Sequence, residues 1–112
     1  MPHLVVEYAK PLEEQLALPA WVDDLFLVLA ECGVFQPDTI TVRAQACSFY
    51  HVGRQKKDFI HLTLSLYEGR TAEQLTQVQQ LLTQQLESLS LDQVVKSLRF
   101  DEMAKSHYIE LG

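Results

Sequence analysis

The chain has 112 residues, 47% of them hydrophobic, which suits one compact α/β domain over residues 1–112 rather than two. Its formal net charge of -6 argues against nucleic acid and anionic membranes as partners, yet one well-placed arginine would still admit a small anionic substrate. No apolar run is long enough to cross a bilayer, no basic leader opens the chain, and Cys32 and Cys47 lack metal-ligand spacing, so a cytoplasmic, reducing setting is expected.

In chain order, "HLVVEY" reads as a short strand, His3 to Tyr8, with β-branched residues at its centre. A polar connector with Pro11 and Pro19 follows. "AWVDDLFLVLAECGVF" then repeats Val22, Leu25, Leu29 and Cys32 at helical spacing, with Gly33 as its C-cap. Thr39 to Tyr50 turns to a β pattern, and "HVGRQKKD" has the composition of a hairpin turn. In "FIHLTLSLY", Ile60, Leu62, Leu64 and Leu66 face one way and His61, Thr63 and Ser65 the other.

Thr71 followed by Gln74 predicts a capping box, and Leu75, Val78, Leu82, Leu86 and Leu89 mark the apolar stripe of a second helix. "VVKSLRF" and "HYIEL" read as short closing β segments. The order is therefore β-α-β twice, with a faint echo between "HLVVEY" and "HLTLSLY". Two crossovers of one hand predict a four-stranded mixed sheet with both helices on one face. Oligomerisation would cover the other face.

The candidate chemistry begins at Pro2. Removal of Met1 would leave a secondary amine, and an α-amine titrates near about 8 in water. Burial and a nearby cation both disfavour its protonated form, giving a group able to take and return a proton near neutrality. The alternative is an edge-strand proline whose missing N–H costs little. Arg43, in a β pattern, has the fork geometry to clamp a carboxylate, or it is a sheet-surface or interface arginine. Arg70 precedes the helix cap Thr71, a position suited to a carboxylate or enolate oxygen, or to a solvated loop arginine. Glu7 and His61 are possible supporting groups. His3, His51, His61 and His107 are scattered, with no zinc-binding spacing.

The start "PHLVVEY", the segment "TVRAQ" and "FIHLTL" followed by "EGRT" together resemble the 5-carboxymethyl-2-hydroxymuconate isomerase family of the tautomerase superfamily, over Pro2 to about Leu89. The resemblance implies a tautomerase-like repeated β-α-β fold, a homotrimer with sites near subunit boundaries, and no metal or organic cofactor. It implies a 1,3-allylic keto–enol isomerisation in which Pro2 is the acid/base and Arg43 and Arg70 bind substrate. Thr41 and the short tail "VVKSLRFDEMAKSHYIELG" depart from the family pattern and bear on substrate identity. Alternatives are a relative with hydratase-like chemistry, in which Glu7 or another carboxylate activates water, and a non-catalytic trimeric binding protein.

Overall fold

Two β-α-β units follow one another: β1 (His3–Ala9), α1 (Leu18–Glu31) and β2 (Thr41–Cys47), then β3 (Asp58–Tyr67), α2 (Ala72–Glu87) and β4 (Val94–Met103). The computed structural model describes all of Met1–Gly112. The strands form one sheet in the order β2-β1-β3-β4. Within each unit the two strands are parallel, and the units join through the antiparallel β1–β3 pair. The echo between the two segments is thus the relation between the two inner strands. This is the expected four-stranded mixed sheet.

Alternation places the core. Leu4 and Val6 of β1 and Ile60, Leu62, Leu64 and Leu66 of β3 are fully buried in one cluster with residues of both helices. Each such side chain is worth roughly 1.5–3 kcal/mol of burial, so the inner strands anchor the fold. No charged or polar residue is buried. The opposite face carries His3, Val5 and Glu7 of β1 against Thr41, Arg43 and Gln45 of β2 and Ser65, Thr63 and His61 of β3. It is largely polar and no helix covers it.

The second helix follows expectation: the Thr71 hydroxyl accepts from the Gln74 N–H at 3.1 Å while the Gln74 side chain accepts from the Thr71 N–H at 3.0 Å. Val78, Leu82 and Leu86 of the expected stripe are buried, while Leu75 is half-buried and Leu89 lies beyond the helix end at Glu87. In α1 the stripe is turned from the expected one. Leu18, Trp21, Leu25 and Leu29 are buried, while Val22 and Cys32 are only half-buried. Pro19 belongs to the first turn, where its missing N–H leaves no bond unmade, so the helix begins before Ala20 and takes Leu18 into its buried face.

Three further expectations are corrected. The β segment expected over Thr39 to Tyr50 shortens to β2, because Pro37–Thr39 forms a 3-10 turn before it. The turn in "HVGRQKKD" exists, with Gly53 at φ 60 inside a Val52–Gln55 bridge, but β2 and β3 do not pair across it. β1 lies between them. "HYIEL" is not a strand: Lys105–His107 forms a 3-10 turn, and Tyr108, itself extended, is held by its side chain rather than by a ladder.

Candidate active site

Pro2 extends the alternation of β1 by one step, so it shares the helix-facing parity of Leu4 and is fully buried. Its carbonyl accepts from the Thr41 N–H at 3.0 Å, which ties the first residues to the start of β2. Having no N–H itself, Pro2 can sit here without orphaning a donor.

Arg43 lies two residues further along β2, opposite Val5 and on the uncovered face. Its guanidinium turns back toward the chain start, with Nη1 3.5 Å from His3 Nδ1. Arg70 approaches from the other side. Gly69, at φ 109, makes the turn out of β3 that a side chain would strain, and delivers Arg70 just ahead of the cap Thr71. Its Nη1 donates to the Tyr67 carbonyl at 2.9 Å and its guanidinium lies 4.7 Å from the ring centre of the buried Phe35. Because β3 is antiparallel to β1, the Tyr67 end of β3 is the Pro2 end of β1. The fold therefore brings Pro2, Arg43 and Arg70 to one end of the sheet, Pro2 on the helix-covered face and Arg43 on the uncovered one, with the arginines held by separate elements.

Glu7 and His61 sit elsewhere. They are cross-strand partners on the uncovered face. Four residues separate Glu7 from His3, about 13 Å of strand. His61 Nδ1 meets Ser97 Oγ at 2.7 Å, so within one protomer His61 is engaged by β4 rather than by Pro2. Cys32 and Cys47 are free thiols.

Two residues that sequence reasoning set aside do reach the Pro2 end. His3 Nε2 lies 2.8 Å from the Tyr108 hydroxyl, and their rings meet edge-on at 5.7 Å. Burial, the N-terminal charge and Arg43 together push the His3 imidazole below its ordinary value, with Glu110 opposing them. Tyr108 in turn packs edge-on against Tyr67 at 5.9 Å. No local spacing could reveal a pair 105 residues apart. The one sequence clue was that His3 follows Pro2 directly.

A cavity of about 650 Å³ bounded by Phe49, Tyr50 and Asp58 lies at the far end of the sheet. One of about 520 Å³ lies between Tyr8, Leu18, Val22 and Ala44. Neither is lined by Pro2, Arg43 or Arg70.

The repeated β-α-β sheet with its inner antiparallel pair is the tautomerase fold, and the chain is an isomerase of that class. It superposes on a crystal structure of 5-carboxymethyl-2-hydroxymuconate delta-isomerase with a TM-score of 0.91 at 19% identity, covering 100% of this chain and 89% of that one. A 5-carboxymethyl-2-hydroxymuconate isomerase from Deinococcus radiodurans R1 gives 0.76 at 24% identity, covering 99% and 89%. A fused 4-OT wild-type symmetric trimer gives 0.70 at 12% identity, covering 91% and 87%. No curated protein matches the chain by sequence. The profile of the 5-carboxymethyl-2-hydroxymuconate isomerase family matches residues 2–109, and the chain belongs to that family.

Proposed function

We propose that this isomerase catalyses the 1,3-allylic keto–enol tautomerisation of an unsaturated 2-hydroxy or 2-oxo carboxylic acid, in the manner of 5-carboxymethyl-2-hydroxymuconate isomerase. Pro2 is the acid/base after Met1 has been removed. The observation that carries this reading is the burial of Pro2 at the end of an inner strand, with Arg43 and Arg70 brought to that end by different elements.

With Met1 attached, the Pro2 nitrogen is an amide nitrogen and has no basic lone pair. Once freed, it is a secondary amine whose protonation is opposed by burial. It accepts a proton from the 2-hydroxyl of an enol, or from the allylic carbon of a 2-oxo acid, and the electron pair left behind spreads over the three-atom allylic system, with charge shared by the 2-oxygen. The same proton returns to the carbon two positions away, so atoms and charge balance without a co-reactant. One guanidinium grips the substrate carboxylate through parallel hydrogen bonds. The other faces the oxygen on which charge develops.

Assembly as a homotrimer belongs to the same reading. It is supported by the trimer of similar fold and by the polar sheet face that no helix of the protomer covers. The test is Pro2→Ala followed by ultraviolet assay on an enolic substrate such as phenylpyruvate. Loss of turnover with assembly retained is expected. Wild-type turnover by the variant sinks the proton-transfer role.

A further inference from the structure

The tail beyond β4 returns across the chain start, and its contacts form a directed sequence. The Tyr108 hydroxyl donates its only hydrogen to Glu110 Oε1 at 3.1 Å. Its oxygen lies 2.8 Å from His3 Nε2 and accepts from Nε2–H when His3 carries that tautomer. With the proton on Nε2, the His3 Nδ1 lone pair faces Arg43 Nη1 at 3.5 Å. In that tautomer the order of donation is Arg43 to His3 to Tyr108 to Glu110, and each group has the hydrogen or the lone pair its place requires. The tail is itself pinned: Tyr108 stands edge-on to Tyr67 at 5.9 Å, and Lys105 Nζ lies 5.8 Å from the Tyr67 ring centre.

Arg43 needs such an anchor. It sits exposed on the outer strand β2, where nothing else in the protomer hydrogen-bonds its guanidinium. A long side chain free in water samples many rotamers, and the cost of ordering it falls on substrate binding. An imidazole kept neutral beside it accepts from the guanidinium without adding a competing charge, and Arg43 keeps its remaining donors for a carboxylate.

We infer that His3, Tyr108 and Glu110 are positioning residues that hold Arg43 ready for the substrate carboxylate, so that the C-terminal tail sets how tightly the site grips its substrate. This rests on the proposed role of Arg43 in substrate binding.

Tyr108→Phe tests the relay, since it removes the hydroxyl and keeps the ring that packs on Tyr67. With phenylpyruvate as probe, KM should rise roughly three- to tenfold while kcat stays within about twofold, the signature of weakened uniform binding. His3→Ala should do the same, and the double variant should add little to either single one. The second readout needs no turnover: nitrogen-15 NMR of the His3 ring should report the Nε2–H tautomer in the wild type and a mixture in Tyr108→Phe. Unchanged KM in an active Tyr108→Phe enzyme, a fall in kcat alone, or an unaltered His3 tautomer overturns the inference. If the wild type shows no Pro2-dependent turnover, the functional reading fails while the tautomer still decides the relay.

Discussion

Replacing Phe35 with leucine separates the shelf beneath Arg70 from the rest of the site. Arg70 has two anchors: a hydrogen bond from Nη1 to the Tyr67 carbonyl at 2.9 Å and the Phe35 face 4.7 Å from its guanidinium carbon. The substitution removes the second and leaves the first. A guanidinium over an aromatic ring is worth about 0.5–1 kcal/mol when exposed and about 2 when desolvated. Arg70 is half-buried, so about 1 kcal/mol is appropriate, or roughly a fivefold weaker hold on the substrate. Leucine keeps the position apolar, so the fold should lose only about 1–1.5 kcal/mol, a fall in Tm of several degrees. Steady-state kinetics beside thermal melts separate the two effects. An unchanged KM in a folded Phe35→Leu protein would show that the Tyr67 carbonyl alone positions Arg70, and would refute the argument.

Thr71→Ala removes half of the capping box just after Arg70 and should cost about 1 kcal/mol of stability, read by denaturant unfolding; a loss under a few tenths would mean that solvent replaces the cap. Tyr8 concerns alkaline stability. Its hydroxyl donates to Glu13 at 2.5 Å, and that bond, then burial, then the Glu13 charge push the phenol up to about 12. The folded state therefore keeps a proton that the unfolded chain releases near about 10, so stability should fall as pH rises from about 10 to 12. Tyr8→Phe should flatten that part of a melting-against-pH curve, and an unchanged slope would contradict the assignment.

Where structure is set by neighbours in the chain, the sequence was readable. β3 alternates because one face must be dry and the other is not, and all four expected residues of its apolar face are fully buried. The α2 start was legible because a capping box satisfies backbone donors within four residues. The α1 stripe was only partly legible: Leu25 and Leu29 lie on it, but Val22 and Cys32 are half-buried, and Leu18 joins it from a first turn that holds Pro19. Strand order was only half legible: turn chemistry around Gly53 signals a reversal, but not that β1 intervenes between β2 and β3. At the site, Pro2, Arg43 and Arg70 stood out as residue types in place. The pairing of His3 with Tyr108 did not, because it depends on a tail that returns across the whole length of the chain.

Everything proposed for the chemistry turns on the nitrogen of Pro2. The most direct test is the intact mass of purified protein that is turning over an enolic acid. The expected mass is lower than that of the full sequence by one methionine residue, leaving Pro2 at the N-terminus. Undiminished turnover by protein that retains Met1 throughout would contradict it.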